Sequence, residues 1–127
     1  MTEVALALIF RNGRYFLQRR DGSNPVMPGL WEFPGGKVEP PETPVEGLRR
    51  ELQEEVGMVF DAFQALPILE AGVRLHPFLV DGPERPRTEL AWGWFTPAEM
   101  LRLPIPPANA ALIHRLVEPL IGPHHPI

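Results

Sequence analysis

The chain has 127 residues, room for one domain with a buried core and hardly for two. It is 44% hydrophobic and 22% charged, as a globular protein usually is, and the absence of cysteine excludes disulfides, thiolate metal sites and a cysteine nucleophile. A net charge of -4 argues against duplex nucleic-acid binding but not against a small polyanion, which a divalent cation can meet. The apolar run at residues 4–10 is too short to span a membrane and follows Glu3 rather than a basic segment. Neither a membrane contact nor a signal peptide is expected, and a cytoplasmic location is. The 17 prolines cluster between the periodic segments and read as stiffened loops.

Residues 4–10 and 14–20 flank Arg11-Asn12-Gly13, whose Asn-Gly pair predicts a β-hairpin with a type I′ turn. Residues 21–29 form a loop. Leu30-Trp31-Glu32-Phe33 is a short strand running into Pro34-Gly35-Gly36, where the backbone can turn sharply and approach a ligand closely. Residues 37–39 are expected as one more short strand. Thr43 opens a helix with Pro44 in its first turn and Glu46 completing a capping box, and Gly57 closes it. Val45, Leu48, Leu52 and Val56 are its buried stripe.

Residues 60–69, interrupted by Pro67, and 73–80 are expected as two strands, followed by a charged, proline-rich loop at 81–88. Residues 90–95 form a strand with Trp92 and Trp94 on one face. A second capping box at Thr96 and Glu99 starts a short helix, and an amphipathic helix is expected over residues 108–120, with a loose tail at 122–127. The order implies one α+β domain over residues 1–127, an α/β/α sandwich around a mixed sheet.

The chemistry lies in the first helix. Glu51, Glu54 and Glu55 stand at i, i+3 and i+4, so their carboxylates share one face beside the apolar stripe. Such a cluster is unfavourable by about 0.2–0.5 kcal/mol per pair. Arg50, four residues after Glu46 and four before Glu54, relieves only part of it. A hard divalent cation would relieve the rest, with a backbone carbonyl from the glycine turn as a further donor. An acidic helix alone is more often a solvated face. Here Gly36, Glu42, Arg50, Glu51, Glu54, Glu55 and Gly57 recur at fixed gaps, for which chance is on the order of 10⁻⁷.

Residues 36–58 resemble the signature of the Nudix hydrolases at every defined position. The stretch Leu30-Trp31-Glu32-Phe33-Pro34-Gly35-Gly36-Lys37, the Arg19-Arg20 pair and Pro106-Pro107-Ala108-Asn109 are similar to the MutT-like branch, the 8-oxo-dGTP diphosphatases. The resemblance implies a Nudix-type sandwich and Mg²⁺, for which Mn²⁺ can substitute. The implied ligands are Glu51, Glu54, Glu55 and the Gly35 carbonyl, with Glu89 as a further acid from a later loop. Arg50 would orient the glutamates. The reaction implied is attack of water on a phosphorus of a nucleoside triphosphate, releasing monophosphate and pyrophosphate, with Glu51 as base and Glu89 as the alternative. Lys37 and Arg20 match phosphate-contacting positions, and equally suit ordinary surface charges.

Phe33 and Asn109 match positions that stack on and hydrogen-bond a purine. Asn109 also suits a helix N-cap, and Phe33, Trp92 and Trp94 also suit a sheet core. The stretch between Phe63 and Phe78 is shorter than in MutT-like relatives, so contacts from that hairpin are not carried over. His76, within it, reads as a sheet-edge residue; His124 and His125 have no assigned role. Three functional readings follow. One is an NTP pyrophosphohydrolase sanitising 8-oxo-dGTP. Another is a relative acting on CTP, modified dCTP or a broader set. The third, a non-catalytic Nudix-fold binding domain, is disfavoured by the intact acids. The implied partner is a small nucleotide; no protein partner is indicated.

Overall fold

The computed structural model describes residues 1–81 and 86–117. Strands β1 (Glu3–Arg11) and β2 (Arg14–Arg19) form the expected hairpin, with Asn12 at φ 52° and Gly13 at φ 77°, the two left-handed residues that a type I′ turn requires. The hairpin then splays. Its paired residues are Phe10 with Tyr15 and Arg11 with Arg14. The fork is filled by one chain segment that changes partner: β3 (Trp31–Glu32) runs antiparallel to β2, and β4 (Gly35–Lys37) antiparallel to β1. The double glycine therefore lies within a strand, and the strand expected at 37–39 is shifted towards it.

On its other edge β1 pairs in parallel with β7 (Arg74–Val80). β5 (Phe63–Ala65) and β6 (Leu69–Glu70) lie antiparallel to β7, and β8 (Trp92–Phe95) lines the outer edge of β2. The expected strand at 60–69 is two short ones, divided by the segment holding Pro67, which has no N–H to give a ladder. His76 pairs with Ala5 of β1 and its Nε2 lies 2.6 Å from Glu3 Oε1, so it is interior to the sheet rather than at its edge.

Alternation along β1 assigns the two faces. Ala5, Ala7 and Ile9 face helix α1 (Pro44–Val56) in one core with Phe16, Leu48, Leu52 and Val56. Leu6 and Leu8 face the opposite core with Leu17, Phe33, Met100, Leu112 and Ile113. That second layer holds α2 (Pro97–Met100) and α3 (Pro107–Leu112), the latter continuing as a π-helical stretch at Ile113–Val117. The result is the expected α/β/α sandwich. The single long final helix is instead an α segment and a wider π turn, and the expected residues 118–120 and the tail lie outside the described residues.

Both capping boxes form: Thr43 accepts from Glu46 N and Thr96 from Glu99 N, each glutamate bonding back to the cap. Glu46 is thus committed to the helix start rather than to Arg50. Gly57 ends α1 at φ 61°, its N–H bonded to Leu52 O. Trp94 packs against the α1-side core, whereas Trp92 is 40% exposed, so only one tryptophan of the expected pair is core. Among the described residues no helix is long and apolar enough to cross a membrane.

Candidate active site

Two glycines bring β4 against its neighbours. A Cβ at Gly35, where φ is 145°, would stand 2.1 Å from Ala5 O, so no other residue fits without moving the strand. A Cβ at Gly36 would meet the carboxylate of Glu51 at 2.7 to 2.9 Å. The space that a side chain would occupy is the seat of the Glu51 acid group. This gives the spacing from Gly36 to Glu51 a physical meaning: bare backbone on the strand receives the first carboxylate of the helix.

Arg50 organises the acids around it. Its Nε donates to Glu42 Oε2 at 2.7 Å and Nη2 to Glu42 Oε1 at 3.1 Å, a two-pronged grip. Nη1 reaches Glu51 Oε1 at 3.0 Å and lies 3.5 Å from Glu54 Oε2, and Nη2 donates to Lys37 O at 3.2 Å. Glu42 also accepts from Glu39 N–H at 2.9 Å. The paired guanidinium holds the Glu42 carboxyl below its usual pKa, and its acids push the Arg50 pKa upward. The contacts of Arg50 are thus with Glu42, Glu51 and Glu54 rather than with Glu46.

The three helix acids sit in different surroundings despite sharing a face. Glu51 is turned onto Gly36 and Arg50, Glu54 is 61% exposed, and Glu55 points inward. Glu55 Oε2 accepts from Gly35 N at 3.2 Å and Gln18 Nε2 at 3.1 Å. Burial pushes its pKa up to about 7, against the hydrogen bond from Gly35; the charges of Glu51 and Glu32 add to the rise. Among the described residues no three acids form a finished cage. The donor set nonetheless fits a divalent cation: hard carboxylate oxygens in excess of their single arginine, and one whose charged form is disfavoured without a positive neighbour.

Glu54, Glu55, Gly35, Gly36 and Lys37 line a cleft of about 1260 Å³, and the Glu51 carboxylate lies against Gly36. Glu89, exposed in a bend, lines the same cleft as Glu54 and Glu55. Arg20 also borders the cleft, but its Nη2 is 2.9 Å from Glu32 Oε2 and its Nη1 donates to Val26 O; its Nε is buried without a partner. Its guanidinium is thus engaged by Glu32 and the Val26 carbonyl.

At the other end, Phe33 is 1% exposed and stands edge-on to Tyr15, a core position rather than an open stacking face. Asn109 is buried within the first turn of α3, whose cap is Pro106; its Oδ1 accepts from Phe33 N at 3.0 Å. The expected N-cap role is thus overturned. Phe33 lies where the chain leaves β2 for β1, and its N–H finds a side chain in place of a strand. That bond turns the Nδ2 donors of Asn109 away from Phe33 N–H.

Sequence reasoning passed over Gln18, Glu32, Arg87 and Thr88, all in the cleft wall. Gln18 had a usable signal: a polar residue on the same face of β2 as buried Phe16. Arg87 and Thr88 had none, because their loop is docked by tertiary contacts, including Arg87 N to Val56 O at 2.7 Å.

The NUDIX domain family matches residues 1–116. A CTP pyrophosphohydrolase of Escherichia coli (strain K12) is 35% identical over 121 residues, covering 89% of each chain. An 8-oxo-dGTP diphosphatase of Haemophilus influenzae is 36% identical over 115 residues, covering 81% of this chain and 80% of the relative. Among solved structures, that of the E. coli ORF135 protein superposes with a TM-score of 0.75 at 35% identity, covering 90% of this chain and 86% of the other. A MutT structure from a study of Aliivibrio salmonicida and Vibrio cholerae gives 0.76 at 27% identity, with 89% and 94% covered. With the acid-bearing helix, the glycine strand and the sandwich all in place, this chain belongs to the NUDIX family of hydrolases.

Proposed function

We propose that the protein is a Mg²⁺-dependent nucleoside triphosphate pyrophosphohydrolase, with Mn²⁺ as a substitute, that releases a nucleoside monophosphate and pyrophosphate. The observation carrying this reading is the seat of Glu51 on bare Gly36, beside Glu55 on Gly35 N–H, at one end of a nucleotide-sized cleft. Glu51, Glu54, Glu55 and the Gly35 carbonyl would hold the cation, with Glu89 facing them. When bound, the cation lowers the pKa of the attacking water and neutralises charge on the phosphate oxygens.

The chain's own residues do the rest. Arg50 keeps Glu51 and Glu54 oriented. Lys37, exposed at the rim, meets phosphate oxygens, and Arg20 supports that end through its pair with Glu32. Of the two glutamates considered as proton acceptor, Glu51 is turned onto Gly36 and Arg50, whereas Glu89 stands in the cleft wall. This favours Glu89 as the base that takes the proton of the attacking water. Asn109 offers donors to a base that presents an acceptor edge.

Two substrate readings have support of their own. An 8-oxo-dGTP diphosphatase is 36% identical to the chain, and a CTP pyrophosphohydrolase is 35% identical over a larger share. A panel of 8-oxo-dGTP, dGTP, CTP, modified dCTP, dinucleoside polyphosphates and sugar nucleotides, with products identified, decides between them. Chelator should abolish turnover without unfolding the protein. Activity that survives chelation, or products other than monophosphate and pyrophosphate, would overturn the proposal.

A further inference from the structure

Gln18 and Asn109 are the polar residues buried among the described residues, at 3% and 7% exposure. Asn109 repairs a break in strand pairing. Gln18 meets no such need, because its backbone is held from both edges, in register with Glu32 of β3 and Trp92 of β8. Its side chain instead spans two parts of the site. Nε2 donates to Glu55 Oε2 at 3.1 Å, and Oε1 accepts from Thr88 Oγ1 at 3.3 Å. Thr88 Oγ1 in turn accepts from Leu90 N at 3.1 Å, a turn that encloses Glu89.

The chain runs in one direction: the Thr88 hydroxyl, while accepting from Leu90 N–H, donates to Gln18 Oε1, and Gln18 Nε2 donates to Glu55. Both donors to Glu55, Gln18 and Gly35, fall on Oε2. Its Oε1 has no protein donor among the described residues and remains for a ligand. The same loop is fastened to the end of α1 by Arg87 N to Val56 O, with the Arg87 stem packed where a Gly57 side chain would stand.

We propose that Gln18 is a positioning residue that ties the Glu55 carboxylate to the Glu89 loop, so that both acids are presented to the cleft together. The inference rests on the reading of Glu55 and Glu89 as parts of the hydrolytic site. It assigns the coupling between them to a buried amide on a third element.

The test compares Gln18→Leu, which keeps bulk and removes both bonds, with Thr88→Val and the double variant. In the metal-free protein, Gln18→Leu should speed amide exchange at Arg87 by about tenfold, because the loop loses one of its anchors. Mn²⁺ should bind the substrate-free variant about tenfold more weakly. Turnover should fall about tenfold at saturating Mg²⁺ with KM little changed. Thr88→Val should speed exchange at Arg87 too, and add nothing to the loss of kcat once Gln18 is gone. Unchanged Arg87 exchange and Mn²⁺ affinity in Gln18→Leu would overturn the proposal, as would independent, multiplying effects of the two substitutions. If Gln18→Leu does not fold, Thr88→Val decides alone: faster Arg87 exchange with lower kcat supports the tie, and wild-type values sink it. Exchange and Mn²⁺ binding are read without turnover, so a wild-type protein inactive on nucleotides would reject the proposed function separately.

Discussion

The two ends of the cleft are built by opposite strategies. At the acid end, one helix and one strand contribute nearly everything, and each group has several partners: Arg50 grips Glu42 while reaching Glu51, and Glu55 receives two donors. At the other end, Phe33 and Asn109 lie 76 residues apart in the chain and share one hydrogen bond. The cleft wall also holds loop residues such as Met27 and Leu90, and Pro107 at the start of a short helix. The contrast teaches that the acid cluster is anchored in local chain geometry, whereas the Phe33–Asn109 contact depends on how distant segments meet.

The largest effects are expected at the acid end. Glu54→Gln and Glu55→Gln should each lower turnover at least about a hundredfold while the fold is kept, through loss of charge at the cation. Near-normal rates in either variant would break the division between the two ends.

Gly35→Ala should act on stability instead. The added Cβ would be driven into Ala5 O on a backbone at φ 145°, which should cost about 3 kcal/mol or more by denaturant unfolding. A variant of normal stability would show that β4 is not pressed on β1 as described.

Smaller effects separate the two jobs of Asn109. Asn109→Ala leaves Phe33 N–H without its acceptor and should cost about 1–3 kcal/mol of stability. Asn109→Asp keeps an acceptor for Phe33 but loses the Nδ2 donors, so it should chiefly reduce discrimination among bases in the nucleotide panel. If both variants discriminate like the wild type, Asn109 serves the fold alone.

A pH effect follows from Glu55. Its pKa is raised from 4.5 to about 7 in the folded protein, so the folded state holds the proton more tightly than the unfolded state. Metal-free stability should then fall as pH rises from about 4.5 to about 7, by on the order of 1–3 kcal/mol. Glu55→Gln should flatten that slope in chelator-treated protein. An equally steep slope in the variant would place the titrating group elsewhere.

Much of the acid end could be read from residue order because it obeys local rules. A capping box, an i, i+3, i+4 acid set and a C-terminal glycine act within a single helix, and an Asn-Gly turn within a single hairpin. The reading failed where a residue's environment depends on a distant partner. Asn109 looked like a cap because Asn at a helix start favours that role, but Pro106 takes the cap and Asn109 answers the N–H of Phe33, between β3 and β4. Arg50 had Glu46 at the right spacing, yet the capping box claimed Glu46 first. Three acids on one face were foreseen, but not that they would divide into a seated, an exposed and a half-buried one.

The chain alone thus determined the acid helix and the need for a counter-charge, which follow from periodicity and from like charges a turn apart, and its motif at residues 36–58 carried the resemblance to the family and its sandwich fold. Only the tertiary structure decided which oxygen of Glu55 is occupied, that Gln18 and Thr88 join the acid to the Glu89 loop, and that Phe33 is core. Those outcomes depend on burial and on hydrogen bonds between segments 20 to 76 residues apart. No local spacing encodes them, because each is settled by what the rest of the fold places opposite.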